Sequence, residues 1–482
     1  MKNLFVFFLL AIPSLVFSQT FVDGNQSGTW DAANSPYLVT DDITVPSGQT
    51  LSIEPGVEVN FQGHYKMLVN GNLQAIGSDG SMVLFTTDNQ AVGWGGLEIS
   101  SSITATLTFC RIEYGKTAGD YPDMHGGAMR LMTSDVTATN CIFADNDATA
   151  SDNGMGGAVY AINTSETSFI DCQFLNNHAY GEGGAVKFSA DSETLFSGCE
   201  FIGNNCLYGG GAISGYGVYG TTIRNCNFFQ NYTMYSNGGA LNTLGSGNTL
   251  FFANCTFHDN TAVTGEGGAM SLAYCSAYFA NCIVYQNEGM YGDDVYLNWG
   301  ADAEIYYSNM PMPDGGSGSY NINSNPQFVD AAAGDLRLNE TSPCVNAGTD
   351  YIVLGGVVLV DLADDEYCDA APDMGAYEFC SVSAAPDDAL TIFRLEQNSP
   401  NPFVGSTSIK YNLAADSFVT ATVYDVRGHE VRSLISSQQS AGRNSVSWNG
   451  KNNEGRSVSQ GIYFLRLQAG DQVSSLRMML TN

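Results

Sequence analysis

Arg130, Tyr160 and Lys187 hold the same place in three successive copies of one short pattern, each two residues after the Ala of a Gly-Gly-Ala. A regular repeat would stack them in one outward column, in the order Arg130, Tyr160, Lys187. Two bases two coils apart would lie about 10 Å from each other, a span that fits a sugar site. Elimination from a uronic acid needs such a base, together with calcium or another cation that acidifies the proton beside the carboxylate. Hydrolysis of a glycoside needs paired carboxylates about 5–10 Å apart. Glu182 and Glu266 each immediately precede a Gly-Gly, but Gly209 and Asn237 take that place in the coils between them. Three coils is about 14 Å, too wide for a catalytic pair. Nor does an aspartate cluster of calcium-ligand spacing accompany the two bases, so solvated surface positions explain Arg130 and Lys187 equally well. His178 and His258 sit at different repeat positions and do not converge, and the sequence contains neither a nucleophile elbow nor a phosphate loop.

Tyr180, Tyr208 and Tyr235 stand four or five residues ahead of the Ala of their Gly-Gly-Ala. They should line one edge of successive coils, with aromatic faces about 5 Å apart. Such a row could stack on sugar rings or anchor a protein partner. The plainer alternative is that the rings pack on one another and stiffen a loop edge.

All of these residues hang on a repeat. Cys110, Cys141, Cys172, Cys199, Cys226, Cys255 and Cys282 each open the pattern C-x-[FIV]-x-x-[NG], at intervals of 27 to 31 residues. After each Gly-Gly-Ala come alternating residues such as AMRL from Ala128, AVKF from Ala185 and AMSL from Ala269. That period of two marks a short strand with one buried face. A further strand carries Cys and Phe inward, as in NCIFADN from Asn140 and NCTFHDN from Asn254. Such strands cannot bury their inner faces alone, so successive periods must stack, each strand pairing in parallel with its copy one coil on. Asn146, Asn177, Asn204, Asn231, Asn260 and Asn287 then share a column. Each is expected to take the left-handed backbone of a corner and to bond to the Asn of the next coil. The paired glycines suit a second corner that has no room for a side chain. The fold class expected is all-β: a right-handed parallel β-helix, with seven of the twelve cysteines forming a buried column of free thiols.

The joined motif F-x-x-N and G-G-A-[ILVM], over residues 126–297, resembles the repeat of the chlamydial polymorphic outer-membrane proteins. That resemblance implies a surface β-helix and, by family association, adhesion. No autotransporter-type membrane barrel follows the repeats here, which weakens the link to adhesion. Residues 19–125 continue the helix amino-terminally, for instance in LSIEPGVEVNF, and 298–380 are expected to hold its last coils and a cap in Asp361 to Phe379. One disulfide is expected among Cys344, Cys368 and Cys380.

The two ends speak to address. MKNLFVFFLLAIPSLVFS, residues 1–18, has the charged start, apolar core and small-residue end of an export signal. A polar linker at 381–389 leads to short alternating strands over 390–482, suggesting a small immunoglobulin-like β-sandwich. There LEQNSPNPFVGSTSIKY, VYDVRGHEV and SQGIYFLRLQAG resemble the carboxy-terminal sorting domain of type IX secretion cargo. The resemblance implies the type IX machinery as a partner, passage across the outer membrane, and release or attachment at the cell surface. No later apolar run is long enough for a transmembrane segment in the mature chain.

Net charge is −32, and residues 390–482 carry nine Lys/Arg against six Asp/Glu, so the acid lies in the body. Such a body repels phosphate backbones, which argues against nucleic acid as a partner. No cofactor motif is legible, and calcium is the ion that Asp293-Asp294 or Asp364-Asp365-Glu366 could take. The expected function is a secreted or cell-surface, non-catalytic adhesin or glycan-binding protein meeting polysaccharide or a host or neighbouring cell. A polysaccharide lyase or glycoside hydrolase of the pectate-lyase-like class is the alternative, and a structural spacer the third.

Overall fold

The computed structural model describes residues 19–380 apart from 101–103, 164–165, 190–193, 218, 246, 291–293 and 364–365, and most of 394–480. The expected export signal and linker, with Asp293, Asp364 and Asp365, lie outside the described residues. Two units are formed, dividing at residues 381 and 382.

The larger unit is a β-helix. In one coil Val159–Ile162 is followed by Ser168–Ile170, Gln173–Leu175 and the two-residue His178–Ala179. Each pairs in parallel and in register with its copy one coil on: Val186–Ser189, Leu195–Ser197, Glu200–Ile202 and Asn205–Cys206. The strands after Gly-Gly-Ala form one face, and the Cys-x-Phe strands another. Between these two runs a sheet whose inner residues include Phe169, Phe196, Ile223, Phe252 and Phe279, all buried. This middle strand carries no fixed motif along the whole stack, because its inward position begins with Leu107 and Ala138 and ends with Ile305.

Stacking aligns like with like. The rings of Phe143, Phe174, Phe201, Phe228 and Phe257 lie parallel at 4.9, 4.7, 4.6 and 4.3 Å. The seven repeat cysteines are buried and free, as the spacing predicts. Cys226 and Cys282 each direct Sγ at the carbonyl two residues back, at 3.1 and 3.3 Å. Burial pushes both thiols up, which disfavours the reactive thiolate.

The asparagine column is real, but its backbone differs from expectation. The left-handed corner falls one residue earlier, at Asp145, Asn176, Gly203, Gln230, Asp259 and Gln286, with φ from 52 to 66°. The Asn after each corner points inward instead. Asn204 Oδ1 accepts from the backbone N–H of Asn177 at 3.0 Å and from its Nδ2 at 2.9 Å. Asn204 Nδ2 in turn donates to Asn231 Oδ1 at 2.9 Å and to the Phe174 carbonyl at 2.8 Å. Asp294 ends the ladder, its Oδ1 accepting from both N–H groups of Asn287 at 2.9 Å. A carboxylate suits this last rung because it only has to accept. The glycine corner is as expected: Gly183 has φ 68°, and a Cβ on Gly184 would lie 2.0 Å from the Gly211 carbonyl oxygen.

Residues 325–379, expected to end in a cap, run back along the outside of the coils. The Gly375 N–H donates to the Asn281 carbonyl, the Ala376 N–H to Thr256 Oγ1, and the Tyr377 hydroxyl to Glu200. The hairpin Tyr351–Leu354 and Val357–Asp361 lays Leu354 and Val360 on Ala253 and Ala280. Outward apolar residues at these late coils, among them Ile283 and Tyr285, drive the segment to the flank. Cys368 pairs with Cys380, closing the loop that carries these contacts, and Cys344 stays a buried thiol.

The smaller unit packs a three-stranded antiparallel sheet, with Thr407–Leu413 at its centre, and a four-stranded one that includes Ser417–Asp425 and Gly461–Ala469. Its core includes Tyr411, Val423, Trp448 and Leu465.

Candidate functional site

The register confirms the outward column. Glu98, Arg130, Tyr160, Lys187, Ser214, Asn242 and Ser271 are partners across successive strands. Their surroundings remove the solvated-surface alternative for Arg130 and Lys187: Arg130, Tyr160 and Lys187 are only 3%, 6% and 5% exposed. The loops that precede the paired glycines fold over them. Gly209, for example, approaches Asn242 so closely that a Cβ there would meet its Nδ2 at 2.8 Å.

Once covered, the cations need partners, because an unpaired buried charge is costly. Arg130 Nη2 lies 2.6 Å from Glu98 and 2.7 Å from Asp123, and Nη1 donates to the Pro122 carbonyl. Lys66 binds the same two carboxylates at 3.2 and 3.1 Å. Burial alone would lower the Lys66 ammonium, but the Asp123 and Glu98 bonds outweigh it and raise its pKa. Asp123, itself disfavoured by burial, is held below its ordinary value by Lys66 and Arg130. The His125 ring stacks on Tyr160 at 4.3 Å. Burial, with the Arg130 charge beside it, lowers its pKa to about 4, so it is neutral near pH 7. Lys187 Nζ donates to Glu182 and, at 3.2 Å, to Ser214 Oγ. Arg130 and Lys187 therefore each close a separate local network rather than converging on one groove.

Glu98 was legible in principle. It follows Gly95-Gly96-Leu97, in which Leu97 is the partner of Met129 and Gly96 stands where Ala128 does, so the Gly-Gly-Ala pattern is broken in this coil. Asp123 and Lys66 come from irregular segments, which carry no repeat to read.

Glu182 and Glu266 stay in separate coils, with Glu182 engaged by Lys187 and the Glu266 N–H donating to Asn237 Oδ1 at 2.8 Å. His178 pairs in register with Asp147 and Asn205, while His258 is buried between Phe229 and Tyr285, so the two histidines stay apart. Asp294 is occupied with the ladder, and Glu366 accepts from the Ala363 N–H. Among the described residues no group of three or more His, Cys, Asp or Glu is placed to hold a metal ion.

Tyr180, Tyr208 and Tyr235 do form a row. Their ring centroids are 6.3 and 5.9 Å apart, with interplanar angles of 49 and 41°. Each stands on a loop whose backbone is pinned to the preceding coil: the Tyr208 N–H donates to Gly181 and the Tyr235 N–H to Leu207, at 2.9 and 2.8 Å. The rings are tilted rather than closed face to face, leaving Tyr208 44% and Tyr235 58% exposed. Asp152 nearby, followed by burial and the neighbouring tyrosines, raises the Tyr180 phenol, which stays a neutral hydrogen-bond donor.

With coils, ladders and glycine corners in place, the class of the larger unit is defined. The description "right handed beta helix region" matches residues 41–251 and 157–309, together more than half of the chain, and the chain belongs to that family. Residues 401–472 match the FlgD Ig-like domain, in keeping with the two small antiparallel sheets. A 62-residue stretch is 37% identical to protein bark beetle of Drosophila melanogaster, covering 13% of this chain and 2% of that protein. No helix among the described residues is long and apolar enough to cross a membrane.

Proposed function

We propose that this protein is exported, delivered across the outer membrane by type IX secretion through residues 390–482, and binds polysaccharide outside the cell without cleaving it. The observation that carries the binding reading is the row Tyr180, Tyr208 and Tyr235, three partly free rings at coil spacing on rigidly anchored loops. Aromatic faces with hydroxyl tips suit sugars, whose rings have apolar faces and polar rims. The engaged state of Arg130 and Lys187 favours binding over catalysis, since neither base is free to take a proton from a substrate. The export reading rests on the likeness of the tail motifs to type IX cargo.

The test is affinity electrophoresis of the mature chain through gels containing a polysaccharide panel. The native protein should be retarded, and the triple Tyr180→Ala, Tyr208→Ala, Tyr235→Ala variant should be retarded much less. New reducing ends or unsaturated products in the same incubations would replace this reading with the enzymatic one. For the route, a reporter fused to residues 390–482 should reach the surface only in cells with an intact type IX apparatus.

A further inference from the structure

A second set of aromatic rings lies at the other end of the strands that follow Gly-Gly-Ala. Tyr216 and Leu244, the last residues of Ile213–Tyr216 and Leu241–Leu244, are register partners, and both are exposed. In the next two coils Ala273 and Asn298 take that position, and Tyr274 and Trp299 stand one residue further on, their rings stacked at 5.5 Å with an interplanar angle of 26°. They are 48% and 58% exposed, and neither belongs to the apolar core.

The backbone sets this pair apart from the same corner in earlier coils, while Phe109, Tyr114, Tyr307 and Tyr320 carry rings at positive φ elsewhere in the chain. Tyr274 and Trp299 occupy a left-handed corner, with φ of 53 and 46°. Earlier coils place Thr133, Asn163, Gly217 and Gly245 at that corner, also with positive φ. Glycine adopts this conformation without steric cost, whereas a bulky side chain there is strained by about 1–3 kcal/mol. Two large rings are thus held where the fold would be better served by glycine, and they point to solvent. Strain kept at an exposed position marks a surface selected for contact rather than for folding.

We propose that the ridge of Tyr216, Leu244, Tyr274 and Trp299 is a binding platform for an extended, uncharged polysaccharide, distinct from the row of Tyr180, Tyr208 and Tyr235. The Tyr274 and Trp299 rings follow one another at 5.5 Å, about one coil rise, and Tyr216 stands two coils before them. A chain of pyranoses lying along the helix axis presents its ring faces at a comparable interval. An anionic polymer is excluded because the acid of this −32 chain lies in the β-helix body, which repels it. The two rows overlap at Ile213–Tyr216 and Leu241–Leu244, which Tyr208 and Tyr235 precede and which Tyr216 and Leu244 end. A protein using both holds two polysaccharide chains at once and cross-links them, so its avidity exceeds that of either row.

The test uses the mature chain in gels of hydroxyethylcellulose, xylan and laminarin. Tyr274→Gly with Trp299→Gly replaces both rings by the residue that earlier coils already use. This variant should melt at the native temperature or higher, yet lose about tenfold or more in affinity for the polysaccharide that retards the native chain. Mixed with that polysaccharide, the native chain should cause turbidity, and the glycine variant should not. Unchanged retention of the variant overturns the proposal, as does a lower melting temperature, which would make the rings structural. Failure of all three polysaccharides to retard the native chain also overturns it. So does a concentration-dependent dimer in sedimentation that the variant abolishes, since the ridge would then belong to a second copy. The triple tyrosine variant, run alongside, separates the two surfaces. Loss only there would sink the ridge and keep the tyrosine row, and loss only in the glycine variant would do the reverse.

Discussion

Asn204→Ala should be among the most damaging single substitutions in this chain. The side chain is fully buried and makes four bonds. It accepts from the Asn177 N–H at 3.0 Å and Nδ2 at 2.9 Å, and it donates to the Phe174 carbonyl at 2.8 Å and Asn231 Oδ1 at 2.9 Å. Alanine removes all four and admits no water to a site packed between coils. The Asn177 backbone N–H, one Asn177 amide hydrogen and the Phe174 carbonyl lose these partners. At about 1–3 kcal/mol for each unmet buried group, and with partial relaxation, the loss should be about 3–5 kcal/mol. Asn204→Asp should be nearly as harmful at neutral pH. Its carboxylate can still accept from Asn177 but faces Asn231 Oδ1 and the Phe174 carbonyl with no proton to offer. The comparison is Asn225→Gly, which deletes an exposed rung where Asn254 Nδ2 donates at 3.0 Å. Glycine suits the φ of 53° there, so the change should stay within about 0.5 kcal/mol. Equilibrium urea unfolding followed by far-ultraviolet circular dichroism measures both. If Asn204→Ala costs less than about 1 kcal/mol, or no more than Asn225→Gly, the ladder is decoration and the reasoning fails.

Three further outcomes follow from the flank and the covered loop. Reducing Cys368–Cys380, or replacing both by Ser, opens a short loop and should destabilise the flank by about 3 kcal/mol, seen as faster proteolysis around 368–380. Burial, with Asp373 and Asp369 nearby, raises Glu378 to about 7, so the folded flank favours the protonated acid. The stability this contributes is full below the ordinary carboxylate value of 4.5 and is lost as pH rises through about 7. Hydrogen exchange of the Asp373 amide should therefore be slower at pH 5.5 than at 7.5 once corrected for intrinsic rates, and Glu378→Gln should flatten that trend. His125 has the opposite sign: its contribution is full above pH 6.5 and is lost as pH falls toward about 4, where the buried ring must charge. Thermal melts of His125→Gln should lack that acid-side loss.

Much of the scaffold was legible because it repeats. A column of Phe, Cys, Asn or paired glycines needs the same side chain in every coil, so the spacing of those residues announces the stacking. The middle strand carries no such fixed motif, because apolar residues from Leu107 and Ala138 to Ile305 fill its inner positions. The left-handed corner was assigned one residue late, since Asp, Asn, Gly and Gln all serve there and only the inward Asn keeps its identity.

The chemistry of the surface was less legible, because exposure belongs to the loops rather than to the period. Sequence alone determined that Arg130, Tyr160 and Lys187 share a column and that Tyr180, Tyr208 and Tyr235 share an edge. Only the tertiary structure decided that the column is roofed and paired with Glu98, Asp123 and Glu182, while the edge stays open. The same holds for residues 325–379, whose turn back along the coils depends on Thr256 and Glu200, more than a hundred positions upstream, and on the outward Ile283 and Tyr285. Strand register follows from local periodicity, which a sequence displays. Which outward side chain meets solvent depends on what folds over it, and that is a property of the assembled coils.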